Sequence, residues 1–204
     1  MTHCQTKTPV MSGEHGCTLN NFCSDDPNCV CFQVQNETIY GKKSVLVAKS
    51  EIFAAMLKGD FAESELCEIP VRSNSPLAFK CVLHDIHGCT VETCTVLQHM
   101  YRTPVNTDTV AEVIEVINEA EKNMLSDLKL RAKECLCHRY IVPETAFQVF
   151  KLASLHRWPM VLKKCVSCLL ADKNQDNIVC NVSRVMCSPY ADLFCNVVCE
   201  VLTE

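Results

Sequence analysis

The residues best suited to chemistry lie close together: Cys81, His84, His87, Cys89 and Cys94. On a helix, positions 81, 84 and 87 fall three apart and share a face. Thiolate and imidazole together can ligate zinc. Structural zinc sites usually bring two close ligand pairs separated by a loop, and this window is more crowded than that. The plainer reading makes Cys81 a core residue and puts both histidines on a solvated or partner-facing side. No metal and no cofactor is expected.

Other cysteine patterns carry less. Cys165-Val166-Ser167-Cys168 is a CxxC, but the redox motif opens a helix after a strand, and here the pattern falls in mid-helix. Cys135-Leu136-Cys137-His138 has one residue between its cysteines where haem attachment needs two. A cysteine nucleophile needs a histidine and an Asn or Asp converging on it. With 17 cysteines and 7 histidines, such pairings arise by chance. None of the 5 glycines builds a GxGxxG or P-loop pattern. The chain reads as non-enzymatic.

The 204 residues suffice for one large domain or two small ones. Hydrophobic residues make up 48% and charged residues 21%, a balance that supports a buried core. Net charge is −5 and no Lys/Arg block stands out, which argues against nucleic acid as a partner. The first residues lack the apolar run of a secretory signal, and no stretch has the length of a membrane span. The expected location is cytoplasmic, nuclear or both, with no membrane partner. Most of the cysteines are then reduced; Cys81, Cys135, Cys165 and Cys195 sit at apolar helix positions and read as small buried hydrophobes. The sequons at Asn36 and Asn181 are silent there.

These residues must be positioned by recognisable elements. Residues 1–27 are polar and aperiodic, and read as a disordered arm. Val30, Phe32 and Val34 alternate with Cys31 and Gln33 as a half-buried strand, and a turn at 35–37 leads to a second, so a hairpin is expected. A short helix over 44–48 precedes one capped by Ser50, with Ile52, Phe53, Met56 and Leu57 as its stripe and Gly59 at its end. Residues 68–71 make a strand that Pro70 assigns to an edge. Ser75-Pro76 opens a helix carrying Phe79, Val82, Leu83 and Ile86, which Gly88 ends.

Residues 89–106 read as irregular. Thr109 to Glu112 looks like a capping box, followed by a helix facing inward through Val110, Val113, Ile114, Ile117 and Met124. Ser126 starts another, with Leu128, Ala132, Cys135 and Leu136 inward. Pro143 opens a helical hairpin that Trp158-Pro159 breaks, with Trp158 packed at its corner. Ser188-Pro189 caps a last helix bearing Leu193, Phe194, Val197, Val198 and Val201. The sum is an α+β unit with about eight helices in all and an all-helical tail, the seam falling at 141–143.

Residues 39–71 carry apolar side chains at helical spacing and nothing placed for catalysis, the build of a segment that packs against something. Val45-Leu46, Lys49-Ser50, Phe53, Met56-Leu57, Gly59, Phe61 and Glu63-Ser64 resemble the BTB (POZ) domain. Glu63 reads as a local hydrogen-bond acceptor. Lys42 stands where that family often has His, and Ile86-His87-Gly88-Cys89 replaces its usual aromatic-Thr-Gly ending. Residues 143–172 resemble the first helical pair of a BACK-type extension. The wording around Leu83 to Thr90 is similar to the C-terminal BTB region of armadillo-repeat BTB proteins, although this chain has no armadillo repeats.

The resemblance implies a short sheet capped by a helical cluster over 28–141, followed by a BACK-like helical extension over 142–204. It implies a homodimer built through Val45, Leu46, Ile52, Phe53 and Met56. It also implies a cullin scaffold docking on Leu83, His84, His87, Val91 and Glu92, making the protein a substrate adaptor of a cullin-RING E3 ubiquitin ligase that carries an unknown protein substrate. Family members often bind cullin through a hydrophobic-x-Glu motif, and Val91-Glu92 lacks the spacer. The competing expectation is a cullin-independent self-association scaffold or transcriptional partner. No target-reading repeat is recognisable, so the expectation is that the tail, the arm or a separate chain supplies recognition, or that the chain is a short form of a longer protein.

Overall fold

Strand periodicity sets the first layer. The computed structural model describes residues 28–58, 68–92, 94–171 and 175–203. The expected arm over 1–27, and Gly59, Phe61, Glu63 and Ser64 with it, lie outside the described residues. Strands β1 (Cys29–Val34) and β2 (Glu37–Lys42) form the hairpin around a turn in which Gln35 takes a left-handed φ of 52°. Strand β3 (Glu68–Val71) adds in parallel to β1, giving the order β2-β1-β3. Pro70 therefore stands on an edge strand, where a missing N–H costs least. Val30, Phe32 and Val34 point inward while Cys29, Cys31 and Gln33 stay half-exposed, as a period of two requires.

Helices α1 (Lys43–Lys49), α2 (Glu51–Lys58) and α3 (Pro76–Ile86) cover the inner face. Phe32 is the central side chain. It meets Ile39 on one neighbouring strand and Ile69 on the other. Its ring packs edge-on against Phe53 from α2 at 5.6 Å and Phe79 from α3 at 5.2 Å, the tilted geometry that aromatic quadrupoles favour. Gly41 faces this cluster: a Cβ there would stand 3.0 Å from Leu46 Cδ1 and 3.7 Å from the His87 ring.

Residues 94–102 depart from expectation. They form Cys94-capped α4 (Thr95–Arg102), with Leu97 and Met100 buried on one side. Helix α5 (Thr107–Lys122) begins earlier than Thr109: its capping box runs from Asn106, whose Oδ1 accepts from the Thr109 backbone at 2.9 Å, while Thr109 Oγ1 accepts from the Asn106 backbone at 3.1 Å. Met124 does not face inward. It is 63% exposed because α5 has already ended and Met124 occupies a left-handed position, φ 56°, in the closing turn.

Helix α6 (Ser126–Cys135) runs into a π-helical turn (Leu136–Tyr140), and an Asp85–Arg131 ion pair joins α6 to α3. The wide turn turns two side chains back onto α4. Tyr140 Oη donates to the Met100 carbonyl at 2.7 Å, and Arg139 donates to the Thr103 carbonyl at 2.9 Å. These bonds satisfy carbonyls that the end of a helix leaves without partners.

Helices α7 (Pro143–Leu155) and α8 (Pro159–Leu170) form the hairpin, with Trp158 buried at its corner. Helix α9 (Gln175–Met186), which the sequence reading passes over, and α10 (Ala191–Thr203) follow. One apolar core runs without a break from Val30 to Val197. Cys195 corrects the reading of the cysteines: it is exposed on α10, which buries Phe194 and Val197 instead. Among the described residues no helix is long and apolar enough to cross a membrane.

Candidate interaction surfaces and the loop after the third helix

Two short helices in tandem cannot bury every apolar side chain they carry. Leu46 is fully buried and Phe53 is 1% exposed, so both belong to the core and neither can meet a partner. Val45, Ile52 and Met56 are half-buried and keep part of their surface open, Val45 and Met56 packing at the core's edge. The five residues implied at a dimer face therefore divide into two that build the fold and three that reach the surface.

The residues implied at a cullin face divide in the same way. Helix α3 is enclosed on nearly every side, with Leu83 1% and His84 5% exposed. Neither can be read as a surface contact. His87 is half-buried and bonded within the fold: its Nε2 accepts from the Lys42 backbone N–H at 3.0 Å and its Nδ1 donates to the Leu83 carbonyl at 2.7 Å. Only a neutral ring can do both, and burial pushes its pKa below the usual histidine value. The ring ties the end of α3 to the residue that opens α1. Val91 is half-buried and Glu92 is exposed; these two remain on the surface of the loop.

His87→Ala is expected to lower the unfolding free energy by about 1–3 kcal/mol, because the Lys42 N–H and the Leu83 carbonyl lose a partner together. Urea unfolding reads this as an earlier midpoint with an unchanged slope. A shift inside experimental error would remove His87 from the fold's framework.

Helix α3 ends in a Schellman motif. Gly88 adopts φ 78°, its N–H donates to the Asp85 carbonyl at 2.9 Å, and the Cys89 N–H donates to the His84 carbonyl at 2.9 Å. This is the 5→2 and 6→1 pairing that reverses a chain at a helix end. It folds Cys89 back beside His84. The chain then turns through Thr90 and returns as the N-cap of α4, where Cys94 is fully buried and its Sγ lies 3.1 Å from His84 Nδ1. The structure thus gathers His84, Cys89 and Cys94, whose ligand-type atoms all lie within 4.8 Å of one another. Cys81 and His87, from the same stretch of sequence, fall outside this group. Burial pushes His84 down to about 4, so its imidazole is neutral at physiological pH.

Four other cysteines are buried and pack in the core. Burial raises Cys81 to about 12 and Cys135 to about 11, and it raises Cys137 and Cys165 as well. A thiol attacks as its thiolate, so these four are inert near neutral pH. Cys165 lies inside α8 with α7 before it, not a strand, which removes the structural context of a redox CxxC.

The strand hairpin, the parallel edge strand and the helical cover agree with comparison to known proteins. The BTB/POZ domain model matches residues 20–140. A relative from mouse, armadillo repeat-containing protein 5, is 27% identical over 134 residues, which is 61% of this chain. The matched part makes up 14% of that protein's length. BTB/POZ domains generally mediate protein–protein interaction, which suits a chain whose surface shows apolar helix edges. The chain belongs to the BTB/POZ family.

Proposed function

We propose that the protein is a homodimeric, non-enzymatic adaptor that brings a protein substrate to a cullin-RING ubiquitin ligase, working in the cytoplasm, the nucleus or both. The observation that carries the dimer is the set of Val45, Ile52 and Met56, half-buried at the edge of α1 and α2. Their outward atoms gain from burial at about 25 cal/mol per Å², and a two-fold axis presents the same patch from both copies. A dimer also carries two docking faces, so avidity strengthens capture without chemistry from this chain. Residues 142–204 serve in this reading as a BACK-like extension that sets the distance to the substrate.

A second reading, a self-association scaffold independent of cullins, is favoured by the burial of Leu83 and His84 and the internal bonding of His87. Only Val91 and Glu92 of the implied cullin face are left to make contact.

Light scattering and titration separate the two. The 204-residue chain is expected to run as a dimer, and Ile52→Asp as a folded monomer, because a carboxylate buried without a partner is costly. A monomeric parent protein would sink the dimer. Titration with a cullin N-terminal domain is expected to show binding that Val91→Asp weakens. No binding at tens of micromolar would end the ligase reading and leave the scaffold.

A further inference from the structure

We propose that His84, Cys89 and Cys94 form a zinc site, one imidazole and two thiolates with a water in the fourth position. The inference does not depend on the dimer or on cullin binding.

The backbone builds the site before any ion arrives. His84 is the third-from-last residue of α3, and the Schellman turn sets Cys89 over it through the Cys89 N–H to His84 carbonyl bond of 2.9 Å. In many helix ends that motif brings two apolar side chains together; here it brings an imidazole and a thiol. A further turn, closed by the Cys94 N–H on the Thr90 carbonyl at 3.0 Å, delivers the second thiol as the N-cap of α4. The three ligands thus come from a helix end, a turn and a helix start, each held by its own backbone hydrogen bonds.

The distances suit a tetrahedral ion. With zinc–sulfur near 2.3 Å and zinc–nitrogen near 2.0 Å, neighbouring ligand atoms stand about 3.5–3.8 Å apart. His84 Nδ1 and Cys94 Sγ are at 3.1 Å, and all three atoms lie within 4.8 Å. The widest pair therefore needs to close by no more than about 1 Å. Soft sulfur with imidazole selects zinc over magnesium or calcium. Binding displaces one proton from each thiol to solvent, and the two thiolates balance the charge of the ion. Cys89 is half-buried, which gives the metal an entry side and the fourth ligand access to water.

Such an ion would fix the chain between α3 and α4, the loop that carries Val91 and Glu92. Its absence in a chelated sample would loosen that loop while leaving the Phe32 cluster in place.

The test uses the 204-residue chain, purified under reductant without chelator and measured by elemental analysis. About one zinc per chain is expected in the parent protein, none in Cys89→Ser and none in Cys94→Ser. Cys135→Ser, a buried thiol elsewhere, and the exposed pair Cys195→Ser/Cys199→Ser are expected to retain it. Because Cys94→Ser alters a buried position, the stripped parent protein is also titrated with Co²⁺. A thiolate-to-cobalt absorption band that saturates at one equivalent and disappears in Cys89→Ser supports the site. A chain that takes up no zinc, that prefers another metal, or that keeps zinc in Cys89→Ser and loses it in Cys195→Ser/Cys199→Ser overturns it.

Discussion

Phe32→Ala lowers the unfolding free energy by about 3–5 kcal/mol, the range for emptying a fully buried aromatic position. Phe32 is 0% exposed and stands where three elements converge: its own strand, α2 through Phe53 and α3 through Phe79. Phe53 and Phe79 are themselves 6.3 Å apart, so each ring of the triangle touches the other two. Removing Phe32 leaves both neighbours facing a void, and β1 cannot yield into it because β2 and β3 hold it on both edges. Against a typical domain stability of about 5–15 kcal/mol, the loss brings the protein near its threshold. Chemical denaturation followed by circular dichroism measures it. Phe32→Leu is expected to fall between the parent protein and Phe32→Ala; a loss below about 1 kcal/mol for Phe32→Ala would show that the triangle is not central to the fold.

Signals that act locally were legible in the sequence. Alternation from Val30 to Val34 gave the strand, Ser75-Pro76 gave the start of α3, and Gly88 gave its end. The end of α5, which has no glycine, was not. Helices α5 and α7 close on the same Schellman pairing as α3, but with Met124 at φ 56° and Arg157 at φ 52° in the left-handed position. A non-glycine residue in that region is uncommon, so no residue type announced the turn after α5, whereas Trp158-Pro159 announced the end of α7. Helix α4 was hidden by its composition, since Thr95 and Val96 have modest helix propensity; the spacing of the buried Leu97 and Met100 was the available signal.

The interaction surfaces were legible only in part, for a related reason. Helical periodicity identifies an apolar face without saying whether its own domain or a partner covers it. Leu46 and Phe53 differ from Val45, Ile52 and Met56 in burial alone, and burial is set by where β1 and α3 lie. The sequence set Cys81, His84, His87, Cys89 and Cys94 together as ligand types, but not which three of the five would meet. A spacing of five from one to the next suits neither a helix face nor a strand face, and only the turn at Gly88 and the cap at Cys94 bring the three together.

Trp158→Ala is the second substitution with a large expected effect, about 3–5 kcal/mol. Trp158 is 4% exposed at the corner between α7 and α8, its ring stacked on His156 at 4.8 Å. Lys133 of α6 lies over the same ring, also at 4.8 Å, a cation–π contact worth a further 0.5–1 kcal/mol on the order of exposed pairs. The indole therefore links the hairpin to the helix before it, and through the unbroken core to the strands. That continuity predicts one unfolding transition, although the family match stops at residue 140. Trp158 is the single tryptophan, so fluorescence reports the corner alone while circular dichroism reports all the helices. The two signals are expected to give the same midpoint in the parent protein, and Trp158→Ala is expected to move the whole dichroism transition. Separate midpoints, or a biphasic curve in which only one phase shifts, would mean that the helices after residue 140 unfold as a unit of their own.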